Sequence, residues 1–431
     1  MKKKRKIVLV VGIILLILGI GSGCVFHWIF ADSQYGVSGD VSNSNIESVV
    51  GEEESEEKKN GNQVPDTDNI WEVPDFIVEV EVGRDPVILQ LSDTQIIDAA
   101  QSRTPSRLGS GAKDYWANSK KNERVFDCIK ETIQATNPDL ILITGDLVYG
   151  EFDDSGRSWE ALIKFMDSFQ IPWAPVMGNH DQESKKGADW QCEQLEQAEY
   201  CLFKQRTLTG NGNYTVGIKQ GDELKRVFIM LDSNGCSNAS EKSLANGHTQ
   251  KTVGFGGDQI VWYLGMANKI KKLSPETKLS IVFHIQIEAF RAAMGQYGTI
   301  GSETQTNPIS IDKHENKADG DFGYMGRNLK SPWDLDYSIW KTFKGIGVDS
   351  ILVGHEHANS ASVVYEGIRC QYGQKTGTYD RANYYMGNGK IECKTSPGGT
   401  PVEGGSVMVL SQVDGTIKNA YIYLCHGLKP I

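Results

Sequence analysis

Positive charge is what this 431-residue chain is short of: 44 Lys and Arg stand against 55 Asp and Glu, a formal charge of −11. A general nucleic-acid binder needs a basic face to neutralise phosphates, so no nucleic-acid binding surface is expected. Eight cysteines are too few for a small disulfide scaffold, and thirteen prolines exclude proline-rich or collagen-like material. The chain has no G-x-S-x-G and no G-x-x-x-x-G-K-S/T stretch. A serine hydrolase with a nucleophile elbow and a P-loop nucleotide enzyme therefore both lack their defining loop. No internal repeat is present, and no composition shift beyond residue 70 marks a second folded domain. At ~150 residues per domain, the length allows two or three domains or one large α/β domain with appendages.

The charge that is present is unevenly spread. Residues 2–6 are Lys-Lys-Lys-Arg-Lys, a charge of +5, and residues 7–30 then hold no Asp, Glu, Lys or Arg. A helix over those 24 residues would span roughly 36 Å at ~1.5 Å per residue, enough for a ~30 Å hydrocarbon core. The reading is an uncleaved transmembrane anchor, with residues 1–6 as a cytoplasmic basic tail and everything after residue 30 facing outward. Cleavage as a signal peptide competes with it. That reading wants a shorter apolar region and a small-x-small site, and Ile29 stands where a small residue should precede Ala31. Lipidation at Cys24 is weaker, since Gly21 stands where Leu is wanted. Residues 31–70 carry ten acidic residues and two lysines. Such a segment cannot bury enough apolar surface to offset its ordering entropy and reads as a disordered, solvated tether. The remainder, 71–431, carries a net −8 and reads as the single folded domain.

Within it one theme recurs: a short, β-branched apolar run ends abruptly in a polar cluster. Val87–Leu91 runs into Ser92-Asp93, and Leu140–Ile143 into Gly145-Asp146. Trp173–Met177 runs into Gly178-Asn179-His180-Asp181, and Val227–Leu231 into Asp232-Ser233. Ile281–Phe283 ends at His284, and Ile351–Val353 at Gly354-His355-Glu356-His357. Such runs read as buried strands. Helical periods at about 120–136, 158–169, 257–272 and 333–345 lie between several of them, which makes the fold class α/β. Ligands of open α/β sheets collect at the carboxyl ends of strands. An Asp or Asn after any one strand is commonly a turn former or helix cap. Here, however, four of only eight histidines share this setting, and the set as a whole calls for another explanation.

Asp, Asn and His together offer hard oxygen and borderline nitrogen donors, a mixture suited to Mn, Fe, Zn or Co rather than Ca. Six to eight donors exceed the needs of one ion. Two metals ~3.5–4 Å apart stabilise both oxygens of an in-line displacement and generate hydroxide at neutral pH. The ordered blocks Asp93-Thr94-Gln95, Gly145-Asp146-Leu147-Val148-Tyr149, Gly178-Asn179-His180-Asp181, His284 and Gly354-His355-Glu356-His357 resemble the calcineurin-like metallophosphoesterase superfamily. Gln259, Trp262 and the Phe283-His284-Ile285 strand end resemble its purple acid phosphatase-like branch. The resemblance covers roughly residues 85–410.

That resemblance implies a four-layer α/β/β/α sandwich with a dinuclear Fe, Mn or Zn site, acting on a small phosphate ester. It implies that Asp146 bridges the ions, that Asp93 and His357 hold the first, and that Asn179, His284 and His355 hold the second. His180 would then protonate the leaving oxygen or stabilise phosphoryl charge, and Asp181 would orient His180, unless Asp181 is a helix cap. Many members carry His two residues after the first Asp, where this chain has Gln95. Either Gln95 or Tyr149 completes the first metal, or the position is open. The alternative function is a non-catalytic phosphate-ligand binding protein on the same fold.

Three further expectations concern surroundings. The polar, glycine-rich stretch 286–331 reads as a loop over the site or a surface excursion. Arg103, Arg107 and Lys113 in 97–118 are candidates to meet a phosphate, against the plainer reading of a solvated loop. Cys192 with Cys201, and Cys370 with Cys393, are candidate pairs for which the sequence supports no claim of a bridge, and Cys128 reads as plain core.

Overall fold

Apolar runs bounded by turn residues satisfy their backbone and hide their side chains by pairing as strands in a covered sheet. The computed structural model describes residues 73–103, 105, 120–236, 253–298, 308–326, 336–377, 382–385, 391–394 and 399–428. The basic tail, the proposed anchor 7–30 and the acidic segment 31–70 lie outside them. No helix among the described residues is long and apolar enough to cross a membrane.

The described part of the chain opens with β1 (Phe76–Glu79), β2 (Val87–Leu91), α1 (Lys120–Thr136), β3 (Leu140–Ile143), α2 (Arg157–Asp167), β4 (Trp173–Pro175) and α3 (Ala188–Gln197). It continues with β5 (Tyr214–Gln220), β6 (Glu223–Met230), α4 (Gly257–Leu273), β7 (Lys278–Val282), α5 (Glu288–Gly295), β8 (Ile309–Ser310), β9 (Tyr324–Met325) and α6 (Asp336–Gly345). The last part holds β10 (Val348–Val353), β11 (Ser362–Tyr365), β12 (Ile368–Tyr372), β13 (Ala382–Tyr385), β14 (Ile391–Lys394), β15 (Thr400–Pro401), β16 (Gly404–Leu410) and β17 (Ile417–Leu424).

Two mixed sheets dominate. One has the order β17-β16-β2-β3-β4, the other β1-β5-β6-β7-β10-β12-β11. In the first, β2, β3 and β4 are parallel and the β16–β17 hairpin joins antiparallel to β2. In the second, β6, β7, β10 and β12 are mutually parallel. All four residues of β3 are buried, so the sheet needs cover on both faces. On one side α1 supplies it through Val125, Cys128, Ile129, Thr132 and Ile133, the i, i+3, i+4, i+7, i+8 stripe of an amphipathic helix. On the other side the seven-stranded sheet does, with Phe228 and Met230 of β6 in the same apolar cluster as Leu89 and Ile141. The alternate β6 residues Val227 and Ile229 join Tyr263 of α4, Phe290 of α5 and Phe343 of α6 in a second cluster. Period-two alternation of one strand thus joins helix, sheet, sheet and helix in that order.

Three expectations change. Residues 286–331 are not one loop: α5 forms there, burying Phe290, Ala293 and Met294, and β8 pairs with β9. The Phe290 ring packs edge-on against Tyr372 of β12 at 5.0 Å. Arg103 is engaged by Asp154 at 2.5 and 2.6 Å, so its charge is already neutralised, while Arg107 and Lys113 lie outside the described residues. Cys192, Cys201 and Cys370 are buried free thiols, which closes the pairings the sequence left open.

Cys128, read as plain core, instead forms a disulfide with Cys425 across 297 residues, with Cα atoms 5.5 Å apart. It fastens α1 to the chain just beyond β17. Closing so long a loop removes much entropy from the unfolded chain. We expect Cys425→Ser to lower stability by roughly 3–5 kcal/mol, read as a fall in melting temperature that added reductant does not deepen. Wild type should show a Cys128–Cys425 cross-linked peptide in a non-reducing digest, and its absence would refute the bond.

Candidate metal centre

The parallel strands of both sheets release their chains at one edge, and the residues that follow turn sharply inward. Asp93 after β2, Asp146 after β3 and His355 after β10 have φ of 51°, 53° and 69°, and Gln95 has 44°. Left-handed backbone costs an L-residue roughly 1–2 kcal/mol, and such strain concentrates at functional sites. Two glycines make the crowding possible. Gly145 has φ 89°, and a Cβ on it would lie 2.5 Å from the His284 ring. A Cβ on Gly178 would lie 2.2 Å from both the backbone N and the Oδ1 of Asp146.

The six residues expected to bind metal converge. Ligand atoms of Asp93, Asp146 and His357 lie within 4.8 Å of one another, all three residues buried. His357 Nε2 is 3.2 Å from Asp93 Oδ1. Asp146 Oδ2 also reaches His284, whose Nε2 is 3.3 Å away. Asn179 Oδ1 then sits 3.2 Å from His284 Nε2 and 3.0 Å from His355 Nδ1. Asp146 thus lies between two groups, Asp93 with His357, and Asn179 with His284 and His355.

The surroundings of His284 suit a positive charge between the ring and its neighbours. Its Nδ1 is 2.8 Å from the Thr144 carbonyl, which can only accept, so Nδ1 carries a proton. In the neutral ring Nε2 is then a bare lone pair, aimed at Asp146 Oδ2 and Asn179 Oδ1. The lone pair and the Asp146 carboxylate are both acceptors, and a proton on His284 or a bound cation between them removes that conflict. Burial pushes the His284 imidazolium down, but the Asp146 carboxylate outweighs it and raises the pKa to about 9. Burial alone would raise Asp93 and Asp146, yet the surrounding imidazoles, with Lys375 in the case of Asp93, hold both below the usual carboxylate range. Burial and the His284 charge lower His355 to about 3. Without metal, a proton on His284 fills the gap. A divalent ion does so with the donor set already in place, and hard oxygens with imidazoles fit Mn, Fe or Zn.

The other expected residues stand differently. The carboxylate beside the His180 ring is Glu183, whose Oε2 is 2.9 Å from Nδ1. Asp181, expected in that role, faces away and accepts the N–H of Val148 at 2.9 Å and of Gly178 at 2.7 Å. It pins the Asp146 and Asn179 loops together. The reason is local: residues 181–183 form one short 3-10 turn, so the side chain three positions after His180 lies beneath it. The Tyr149 ring stacks on the His180 ring, centroids 4.1 Å apart. Gln95 points its Nε2 at Asp146 Oδ2, 3.1 Å away. Gln259 is a buried hub outside the centre, bonding Asn213, Asp232 and the backbone N of Gly256. Trp262 stacks under Arg206, 5.1 Å away.

The calcineurin-like phosphoesterase family model matches residues 86–359. An uncharacterized protein of Schizosaccharomyces pombe is 26% identical over 205 residues, 47% of this chain and 37% of that protein. A probable inactive purple acid phosphatase of Arabidopsis thaliana is 34% identical over 98 residues, 22% of this chain and 24% of that one. The match thus spans less than half the length of either relative. Among solved structures, a dimetal phosphatase from Danio rerio has a TM-score of 0.42 at 10% identity, covering 79% of this chain and 98% of that one.

The Gly178 contact supplies a test. Gly178→Ala should expel Asp146 from its place, costing roughly 1–3 kcal/mol of stability as an overpacked site does, and abolish stoichiometric metal uptake measured by elemental analysis. Full metal content in a stable Gly178→Ala protein would show that the loop is not as tight as described.

Proposed function

Because the chain belongs to the calcineurin-like phosphoesterase family, we propose that it is a membrane-tethered metal-dependent phosphoric ester hydrolase with a dinuclear centre acting on a small phosphate ester. The observation that supports this reading is the convergence of His284 Nε2 with Asp146 Oδ2 and Asn179 Oδ1, an arrangement that a bound cation satisfies without protonating the imidazole. Asp93 and His357 would hold one ion, Asn179, His284 and His355 the other, and Asp146 would touch both. Fe, Mn and Zn all suit this set. Two such ions, when bound, supply a nucleophile from water at neutral pH and positive charge for the phosphoryl oxygens.

The chain's own residues do the rest. His180 is half-buried at the edge of the centre, with its backbone N bound to Asp146 Oδ1 at 2.8 Å. Glu183 holds the Nδ1 proton, which fixes the ring and stabilises its imidazolium form. Nε2 then gives its proton to the departing alkoxide, and the stacked Tyr149 ring keeps the imidazole from rotating.

The outward-facing location also belongs to this proposal. Residues 7–30 would cross the membrane, and 31–70 would carry the folded part away from it. The Cys128–Cys425 disulfide supports an oxidising, extracytoplasmic setting. One observation favours the non-catalytic alternative: residue 95 offers an amide N–H to Asp146 where a metal ligand is expected.

The full-length chain loaded with Mn, Fe or Zn should hydrolyse nitrophenyl phosphate mono- or diesters, lose activity with chelator and regain it with metal. His180→Ala should lower kcat by about 10²–10⁴ without changing metal content. Wild type that binds metal but turns over neither ester establishes the binding-protein alternative, and wild type that binds no metal sinks both. Glu183→Gln should lower kcat by roughly tenfold or more with KM and metal content retained, as orienting partners of a catalytic imidazole do. Asp181→Asn should instead lower the melting temperature, because an amide group replaces an acceptor of two buried N–H groups.

A further inference from the structure

A buried lysine decides what Gln95 does. Lys375 lies just past β12, where it bridges to Ser92, and is 2% exposed. Its Nζ is 2.7 Å from Gln95 Oε1 and 3.3 Å from the Asp93 carbonyl oxygen. The two ends of a side-chain amide resemble each other in shape, so orientation follows from the hydrogen-bond partners. An ammonium has three donors and no acceptor. The Gln95 atom against Lys375 must therefore be the carbonyl oxygen, and the NH₂ must face Asp146, 3.1 Å from Oδ2. An amide NH₂ has no lone pair to give a metal.

We propose that Lys375 is a positioning residue that keeps Gln95 out of the ligand set and makes it a hydrogen-bond donor to Asp146. The inference rests on the dinuclear reading above and deepens it. A first ion would then be held by Asp93, Asp146 and His357 without residue 95. Lys375, Gln95 and Asp146 form one chain of hydrogen bonds that ends on the carboxylate as acceptor, in which the ammonium polarises the amide and the amide fixes the carboxylate between the two groups. The backbone of Gln95, with φ 44° and its N bound to the Asp146 carbonyl at 2.9 Å, holds the start of that chain rigid.

The test uses the full-length chain loaded with Co²⁺, whose visible absorption reports coordination number and geometry. Gln95→Leu should still bind two ions with an unaltered spectrum, at an affinity reduced about 10–100-fold, as for other outer partners of metal ligands. Lys375→Met should show a loss of similar size, and the double variant should be no worse than either single one, since both remove the same relay. A drop to one ion or a changed spectrum in Gln95→Leu would make Gln95 a ligand and overturn the inference while the dinuclear reading stands. Additive losses in the double variant would make Lys375 merely structural and also overturn it. If Lys375→Met does not fold, as circular dichroism would show, the Gln95→Leu spectrum decides alone. Wild type that takes up no Co²⁺ fails at an earlier, separable step, the metal reading itself, and removes the inference with it.

Discussion

The hydrogen bond from His284 Nδ1 to the Thr144 carbonyl is the contact on which the rest of the centre depends. Thr144 directly follows β3 of the five-stranded sheet and His284 lies two residues past β7 of the seven-stranded sheet, so the bond joins the two sheets at their carboxyl edges. It also selects the tautomer, leaving the other ring nitrogen to face Asp146 and Asn179. Gly145 is required beside it because any side chain there would strike the imidazole. One 2.8 Å contact thus couples sheet packing to the availability of a lone pair. A shift of the sheets against each other would lose the site before it lost the fold.

Backbone strain is the second constraint. Asp93, Gln95, Asp146 and His355 all take left-handed conformations, which turn the chain back over the strand ends instead of outward. At roughly 1–2 kcal/mol each, four such residues would consume a large part of a typical net stability. The fold offsets this with cover on both faces of the β2–β3 region and with buried bonds across the sheets, such as Gln90 to the Val353 carbonyl at 3.0 Å and to Gln371 at 2.8 Å. The Cys128–Cys425 bond adds a constraint on the unfolded chain.

What was legible in the sequence followed from strong local pattern. The β2 and β3 runs and the α1 helix match their expected limits residue for residue, because short apolar runs between turn formers and a seventeen-residue amphipathic stripe admit one reading. The six convergent residues were legible for the same reason: each directly follows such a run. What was hidden depends on distant or fine geometry. Cys425 lies 297 residues from Cys128, and Lys375 lies in an unremarkable Gly-Gln-Lys-Thr stretch 280 residues from Gln95. Glu183 was overlooked in favour of its neighbour Asp181, since only the 3-10 turn shows which carboxylate comes under His180. The helix α5 was missed because it is short and runs into a glycine-rich stretch, and its three buried residues make a pattern only once Tyr372 is seen opposite.

The polar groups around the centre share a logic that no single residue carries. Asp181 is satisfied by two backbone N–H groups, Gln95 by Lys375 and Asp146, His180 Nδ1 by Glu183, and His284 Nδ1 by Thr144. Each bond engages an atom that would otherwise compete for a cation or rotate a ligand away. The atoms of Asp93, Asp146, Asn179 and the three imidazoles that point at one another are the ones these ties leave to meet charge. A buried acceptor without a donor costs about 1–3 kcal/mol, a cost that a proton on His284 or a bound cation relieves here. The net acidity of the chain is consistent with that demand. On the proposed reading, the positive field that receives an anionic phosphate would come from ions held by these residues rather than from surface lysines.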